Sequence, residues 1–342
     1  MNAKSHILVI RFSAMGDVAM TVPVLLALTQ QYPDLKVTVL TRSFFAPLFS
    51  QLPNVAIFEA DVKGAHKGIL GLWKLYKALK KLRIEAVGDL HNVLRSNFLK
   101  LLFRLDQMPV YQIDKGRKEK RELTATRHKK FKQLKTTHER YATVFAQMGY
   151  PVVLDTTQLV QKQTLGGNRA KLLAGTQKLI GIAPFAAFEG KMYPLAQMAE
   201  VIEALKGQKK YKIFLFGGGQ HEREQVAQFA DGKYCINTIG QLSFAEELAL
   251  ISNLDVMLAM DSGNAHLAAI YGIATVTLWG VTHPYAGFAP FQQEKHTLLA
   301  DREKYPLVPT SVYGNKFPEG YEKAIAGIPP AQIVGKILSL LE

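Results

Sequence analysis

The sequence predicts an α/β protein made of two doubly wound domains, each a parallel sheet with helices on both faces. Near-continuous apolar runs such as HILVIRF (6–12) are typical of parallel strands that are buried on both sides. Strand-like and helix-like segments alternate along the chain. This alternation stops in the polar, glycine-containing stretch QKQTLGGNRAK (161–171) and then starts again, which indicates a second domain.

In the N-terminal half, the first strand is followed by the helical segment VAMTVPVLLALTQQYP (18–33), which ends at a proline. A second helix is predicted over 69–82, where apolar residues recur at helical spacing with lysines between them. Strands are predicted at 6–12, 36–42, 55–61 and 86–90. These segments form the predicted first domain, residues 1–165.

In the C-terminal half, the same alternation predicts a second domain over residues 166–328. Its strands are predicted at 178–185, 211–219, 256–261 and 274–280. Its helices are predicted at 195–205, 246–254 and 263–272. Residues 329–342 are predicted to form a last helix that packs back on the first domain.

Composition and length are those of an ordinary globular protein: 342 residues, 48% hydrophobic and 20% charged. The single cysteine, Cys235, excludes a disulfide framework and favours a reducing compartment. The first apolar run is too short for a signal peptide and is interrupted by Arg11, and no stretch is long enough to span a bilayer. A cytoplasmic protein is therefore expected.

The net charge of +14 is concentrated in two segments of the N-terminal half. Residues 63–83 hold seven Lys and Arg and no acid, and residues 115–140 hold eleven against three Glu. A local excess of one charge sign predicts an anionic partner. The second segment contains few large apolar residues, so we expect it to be mobile or to be ordered in part by a ligand.

Ligands of open parallel sheets bind beyond the carboxyl ends of the strands, so the predicted site is the cleft between the two domains. Five segments lie at such ends: 13–17, 89–92, 184–191, 217–222 and 261–266. Their side chains are the candidate site residues.

Asp17 and Lys191 have two interpretations each. Asp17 is either a helix N-cap or first-turn acid, or a general base whose neighbour Gly16 lets a ligand approach the backbone. Lys191 is either a solvated surface lysine or a compact positive charge for a diphosphate.

The segment MDSGNAHLA (260–268) follows a buried strand and opens a helix. Its Ser262-Gly263 amides could bind phosphate, whereas Asp261 is suited to accept hydrogen bonds from sugar hydroxyls. His266 on its own is more typical of a structural histidine than of a ligand-binding one. In FGGGQHERE (216–224) the third glycine position of a dinucleotide fingerprint holds Glu222, which disfavours a nicotinamide enzyme. Glu222 itself is either a contact to a ribose or an exposed acid at the start of a helix.

Spacings of several other enzyme classes are missing. The sequence has no H-E-x-x-H, no paired cysteines, no D-x-D pair, no G-x-S-x-G elbow and no P-loop. Zinc hydrolases, α/β-hydrolases and Walker-type enzymes are thereby excluded, and no metal site is predicted.

Four segments together resemble the bacterial lipopolysaccharide heptosyltransferases of glycosyltransferase family nine. They are VIRFSAMGDV (9–18), DLHNVLRSN (89–97), GKMYP (190–194) and MDSGNAHLAAIYGIATVTLWGVTHP (260–284). The resemblance implies the GT-B architecture, with the acceptor bound by the first Rossmann-like domain and the nucleotide-sugar by the second. It also implies inverting, metal-independent transfer of a heptose from ADP-heptose to a lipopolysaccharide inner-core acceptor, without a cofactor.

By the same resemblance, Asp17 is the general base and Lys191 stabilises the leaving diphosphate, while Glu222 reaches the ribose and Leu242 lies by the base. The donor residues so implied are Gly16, Ala186, Ala187, Lys191, Glu222, Leu242, Asp261, Ser262, Gly263 and His266. The acceptor residues are His91, Asn92, Arg95, Lys115, Arg117 and Lys118. The chain departs from the family at Ala186-Ala187, where some members carry hydroxyls, and at His91-Asn92, where members often have Gln-Gly; donor and acceptor contacts are expected to differ there.

The basic segments then predict a peripheral protein on the anionic inner membrane, with the helix over 69–82 and its Trp73 in the interface. The alternative for this helix is that it packs its apolar face on the sheet and solvates its lysines. For the whole chain, a GT-B enzyme of other specificity, such as an epimerase, stays open. A nucleic-acid-binding protein is disfavoured because Phe131 is the single aromatic residue of segment 115–140.

Overall fold

Two separate parallel sheets organise the chain in the computed structural model, which describes residues 5–155 and 157–342. The chain divides into two compact units. The first contains residues up to Lys115 together with Thr137–Val160, and the second contains Gly116–Thr136 and Gln161–Glu342. The predicted class, α/β with two Rossmann-like parallel-sheet domains, is confirmed.

The first unit has a five-stranded sheet in the order β3-β2-β1-β4-β5. Its strands are β1 (His6–Ile10), β2 (Lys36–Thr41), β3 (Val55–Glu59), β4 (Ala86–Asp89) and β5 (Val110–Gln112). The helices as far as residue 160 are α1 (Met15–Ala19), α2 (Thr21–Gln31), α3 (Gly68–Lys80), α4 (Leu94–Leu105), α5 (Arg117–Leu123) and α6 (Thr137–Gln147). In the central strand, Leu8 is paired with both Thr38 and Val87.

A buried ion pair fixes α4 to the sheet. Lys100 Nζ lies 2.9 Å from Asp89 Oδ2, and both side chains are almost fully buried. Ser96 Oγ donates to the same carboxylate, and so do the backbone amides of His91 and Asn92. Because each oxygen of Asp89 has partners, this buried charge is compensated and it sets the start of α4 at the carboxyl end of β4.

The second unit has a six-stranded sheet in the order β11-β10-β9-β6-β7-β8. Its strands are β6 (Lys178–Ala183), β7 (Tyr211–Leu215), β8 (Cys235–Asn237), β9 (Val256–Met260), β10 (Ala274–Trp279) and β11 (Thr297–Leu299). Its later helices are α7 (Leu195–Gly207), α8 (Gly219–Gln225), α9 (Phe244–Ile251), α10 (Gly263–Ala269) and α11 (Pro330–Leu338). This is the strand order of dinucleotide-binding domains, and it reverses between β6 and β9.

Residues 116–136, which we call the strap, pack on the second unit although the chain before and after them belongs to the first. Lys129 Nζ donates to the carbonyl oxygens of Leu123, Leu307 and Pro309. Arg302 lies over the Phe131 ring at 3.5 Å from its centre. In segment 115–140, which was expected to be mobile or ordered in part by a ligand, the half-buried Lys129 ammonium and a few apolar side chains hold the strap on the second unit.

The last helix also differs from its prediction. Helix α11 packs on α7, and its Ile333 and Ile337 belong to the core of the second unit rather than to the first domain. The predicted boundary at 165/166 shifts to Val160/Gln161, and the strap is added to the second unit. In the part of the chain that the structure describes, no helix combines the length and apolarity needed to cross a membrane.

Candidate active site

Asp17 lies just beyond the carboxyl end of β1, in the first turn of α1. It does not cap this helix, since the N-cap is Ala14 and no side chain caps it. One carboxylate oxygen of Asp17 instead lies 2.6 Å from a terminal nitrogen of Arg11, whose side chain is 6% exposed against 29% for Asp17. The Asp17 carboxylate is thus paired with the buried Arg11 guanidinium and remains partly accessible to solvent.

Arg11 is itself fixed by the residues around it. Its guanidinium donates to Leu90 O at 2.6 Å and lies against the ring of Tyr141. Burial raises the pKa of Tyr141, whose hydroxyl donates to the backbone oxygen of Asp17. Arg11 was not among the predicted site residues, although a cation that directly follows a buried apolar strand is a usable signal.

The predicted acceptor residues are divided between the two units. His91, Asn92, Arg95 and Lys115 lie around the carboxyl end of β4, where Lys115 Nζ donates to Asn92 O at 3.3 Å. Arg117 and Lys118 lie on α5, exposed on the strap of the second unit. The structure therefore assigns these last two to a different unit from the one predicted.

His91 is held neutral in this cluster. Its Nδ1 accepts a hydrogen bond from the Phe12 amide at 3.3 Å. Burial, followed by the charges of Arg11 and Lys115, lowers its pKa to about 4. The neutral tautomer that accepts at Nδ1 carries its proton on Nε2, so His91 can donate a hydrogen bond to a ligand.

The lowered pKa of His91 predicts a pH dependence of stability. The unfolded chain protonates this histidine below about pH 6.5 while the folded protein does so near pH 4, so the free energy of unfolding falls as pH falls through this window, by about 3 kcal/mol. His91→Gln, which keeps an acceptor for the Phe12 amide, is expected to flatten the slope in urea unfolding between pH 4 and pH 7. His221→Gln, at an exposed histidine, is the control; equal slopes in His91→Gln and the control contradict the prediction.

Lys191 and Asp261 form a buried ion pair in the second unit, at the carboxyl ends of β6 and β9. Nζ of Lys191 lies 2.9 Å from Asp261 Oδ2, with side-chain exposures of 14% and 7%. Thr282 Oγ1 donates to the same oxygen at 2.9 Å. The surface-lysine interpretation of Lys191 was therefore wrong, and one oxygen of Asp261 already has two partners.

Two buried side chains with unused hydrogen-bonding capacity, Ser262 and Asn264, closely follow Asp261 in the chain. Ser262 Oγ and Asn264 Oδ1 are buried and have no hydrogen-bond partner among the described residues. His266 is buried one turn into α10. In the loop after β6, the Ala186 amide donates only to the sulfur of Met192, at 3.1 Å, and sulfur is a weak acceptor that a ligand oxygen can replace.

Glu222 and Leu242 lie elsewhere in the second unit. Glu222 Oε2 accepts from the Gly218 amide at 2.6 Å and so closes its own turn at the start of α8. Leu242 is half-buried and directly precedes Ser243, the N-cap of α9. Within residues 5–155 and 157–342, no three His, Cys, Asp or Glu side chains are grouped as a metal site.

The Lys191 side chain lies against Gly314, which was not among the predicted site residues. A Cβ added to Gly314 would be 2.5 Å from Cγ of Lys191 and 2.8 Å from its Cδ. Such distances do not occur between real atoms, so any larger residue here has to move the lysine. Gly314 therefore acts as a positioning residue for Lys191.

Gly314→Ala is expected to lower kcat by about tenfold, because it displaces the ammonium of Lys191 from Asp261 and from a bound anion. The matched control is Gly320→Ala: φ is +84° at Gly320 and +83° at Gly314, but a Cβ at Gly320 meets nothing within 4 Å. Both variants carry the same backbone strain, about 1 kcal/mol, and Gly314→Ala in addition disturbs the Lys191–Asp261 pair, so it should lower the thermal unfolding temperature more than Gly320→Ala does. Equal loss of kcat in the two variants would refute the positioning role.

Two Rossmann-like parallel-sheet units are the architecture of the GT-B class, and Asp17 and Lys191 lie at strand ends of the first and of the second unit. The family model described as glycosyltransferase family 9 (heptosyltransferase) matches residues 72–315. The chain belongs to this family. The resemblance and the prediction of a glycosyltransferase are thereby confirmed.

Two proteins with similar sequences are named as heptosyltransferases. The chain is 26% identical over 355 residues to lipooligosaccharide heptosyltransferase 2 of Haemophilus influenzae, covering 98% of this chain and 99% of that one. It is 24% identical over 289 residues to the lipopolysaccharide core heptosyltransferase OpsX of the same organism, covering 82% and 81%.

Solved structures support the fold. A family 9 glycosyl transferase from Veillonella parvula superposes with a TM-score of 0.76 at 20% identity, over 100% of this chain and 98% of that chain. The heptosyltransferase WaaC of E. coli, solved with ADP, superposes with a TM-score of 0.67 at 18% identity, over 98% and 99%.

Proposed function

We propose that this glycosyltransferase moves a heptose from ADP-heptose to an acceptor in the lipopolysaccharide inner core, with inversion and without a metal ion. The names of its relatives support the sugar and the acceptor. The observation that carries the chemistry is the Asp17 carboxylate, accessible at the end of a central strand and held by buried Arg11.

In this proposal Asp17 is the general base. It takes the proton of the acceptor hydroxyl while that oxygen bonds to the anomeric carbon and the bond from this carbon to the diphosphate breaks. A single displacement from the face opposite the leaving group inverts the anomeric centre. Arg11 fixes the direction of the carboxylate, because its own position is set by Leu90 O.

The second unit binds the donor. Lys191 meets the negative charge that develops on the departing diphosphate, and its pairing with Asp261 keeps the ammonium in place beforehand. Ala186 and Ala187 offer only backbone amides, and the weakly bonded Ala186 amide supports that role. The remaining donor contacts that we propose are Gly16, Glu222, Leu242, Ser262, Gly263 and His266.

For the acceptor we propose the groups at the end of β4 together with two cations of the strap. His91 can donate from Nε2, and Arg95 and Lys115 are suited to phosphate or carboxylate of the inner core. Arg117 and Lys118 are exposed on α5 and extend the same preference for anions to the second unit.

The acceptor is part of a membrane lipid, and we propose that the enzyme works as a peripheral protein on the cytoplasmic face of the inner membrane. The two basic segments support this, since residues 63–83 carry seven cations and no acid. Clustered lysines and arginines bind anionic headgroups without a membrane-spanning helix.

The test is nucleotide release from ADP-heptose and other nucleotide-sugars, with and without a deacylated core acceptor. Release that needs the acceptor and survives a chelator is the expected result. Release without acceptor indicates hydrolase or epimerase chemistry and refutes the proposal. Salt-sensitive nucleic-acid binding without binding of any nucleotide-sugar refutes it as well.

A further inference from the structure

An exposed apolar surface covers two neighbouring helices of the first unit. Six large apolar side chains of α3 and α4 are between 43% and 88% exposed: Ile69, Leu70, Trp73, Leu94, Leu101 and Leu105. Isolated exposed apolar residues are ordinary, but a group of this size on two packed helices marks a binding surface. We call these two helix surfaces the α3–α4 face.

Helix α4 is apolar on two opposite sides. Leu99 and Phe103 are fully buried in the core beneath it. Leu94, Phe98, Leu101 and Leu105 follow one another at intervals of four, three and four residues, so they share the other side of the helix. Phe98 is half-buried and packs against the core, whereas the three leucines are exposed and lie outside it.

Helix α3 adds positive charge to the same surface. Its outer side carries Ile69, Leu70 and Trp73 in the first two turns, followed by exposed lysines at 74, 77 and 80 and by Lys81 at its end. Lys77 Nζ lies over the Trp73 ring, 3.6 Å from its centre. Neither α3 nor α4 contains an acidic residue.

The two helices are held together as one surface. The rings of Tyr76 on α3 and Phe103 on α4 are in edge-to-face contact, with centres 5.1 Å apart. Lys80 Nζ lies 2.6 Å from Asp106, which directly follows α4. Asp89 and Lys100 fix α4 to the sheet from below, so the apolar side chains are presented on a rigid support.

We propose that the α3–α4 face docks on a bilayer of anionic phospholipid, with the apolar side chains in the interface and the lysines and arginines on the headgroups. This deepens the proposed membrane association and rests on it. A second copy of the chain is the weaker candidate, because like charges on Lys74, Lys77, Arg95 and Arg104 would face each other. An anionic lipid surface complements both the charge and the apolarity.

The place of this face in the fold fits such an acceptor. Helix α4 begins at Leu94, so the most exposed leucine lies between Asn92 and Arg95, two proposed acceptor residues of the first unit. Strands β3 and β4 are parallel, and helix α3 connects the carboxyl end of β3 to the start of β4. The first turns of α3 therefore lie at the same carboxyl edge of the sheet as the start of α4. Docking through this face brings His91 and Asn92 to the headgroup level.

The experiment is co-sedimentation of the full chain with vesicles of phosphatidylcholine, alone or mixed with phosphatidylglycerol. We expect binding to the anionic vesicles that weakens as salt is raised. Leu101→Ser/Leu105→Ser is expected to lower the partition coefficient by about tenfold or more, and Lys74→Gln/Lys77→Gln by about tenfold. The control Val153→Ser/Leu299→Ser, at exposed apolar residues elsewhere, should bind like the wild type.

Three outcomes overturn the proposal: no binding of the wild type, equal loss in the control, or a wild-type dimer that Leu101→Ser/Leu105→Ser makes monomeric while vesicle binding stays unchanged. The last one assigns the face to a second copy. Transfer to the soluble, deacylated acceptor should be equal in the wild type and in Leu101→Ser/Leu105→Ser. If neither transfers the sugar, the proposed function fails while the vesicle result stands by itself.

Discussion

Asp17→Asn is expected to lower kcat by about a thousandfold, since an amide of the same size cannot take the proton of the acceptor hydroxyl. The variant also leaves the buried Arg11 without its carboxylate, so the free energy of unfolding should drop as well. Acceptor-dependent nucleotide release gives the rate, and ADP binding shows whether the donor unit is intact.

The matched control for Asp17→Asn is Asp155→Asn. Asp155 is also a carboxylate of the first unit with local hydrogen bonds, from the amide and hydroxyl of Thr157, but it lies two residues after Val153, whose backbone bonds to Gln31 at the end of α2, just before β2 begins. This control should transfer at the wild-type rate. An Asp17→Asn enzyme that keeps a tenth or more of the wild-type kcat, with ADP binding unchanged, shows that another group is the base.

Lys191→Gln is expected to lower kcat by about a hundredfold, because the charge on the departing diphosphate is no longer neutralised. It should also destabilise the second unit by about 3 kcal/mol, because Asp261 becomes a buried charge without its cation. Rate and stability therefore need to be separated.

The double variant Lys191→Gln/Asp261→Asn separates them. It removes the orphaned charge, and Thr282 can still hydrogen-bond the new amide, so thermal unfolding should recover much of the loss. The kcat for acceptor-dependent nucleotide release should stay low. If activity recovers together with stability, Lys191 acts only by holding the fold, and its proposed role on the diphosphate is wrong.

The long buried strands were predictable from sequence, whereas the short ones were not. Strands β1, β2, β6, β7, β9 and β10 have five or six residues each, enough to show a pattern rich in apolar and β-branched residues. Strands β5, β8 and β11 have three residues each, too few to show any periodic pattern. They form because the neighbouring strand has unpaired backbone groups with which they can hydrogen-bond. Helix α4 escaped prediction because a helix that is apolar on two sides lacks the usual single stripe.

The candidate site was also predictable from the sequence only in part. The placement of Asp17, Lys191 and Asp261 at strand ends follows from the rule for parallel sheets, and the structure has them there. Their partners were hidden, because Lys191 contacts Gly314 more than a hundred residues later in the chain. Arg11 and Thr282 were likewise recognisable only once the side chains were in place.

The strap has a consequence for cutting and recombining this enzyme. The polypeptide passes from one unit to the other at 115/116, again at 136/137 and a third time at 160/161. A fragment that starts at Gln161 would lose Leu123, Phe131 and Leu134 and so leave Ala286 and Phe288 uncovered, which invites aggregation. Chimaeras between relatives should therefore exchange residues 116–136 together with the C-terminal half, so that all three junctions are respected.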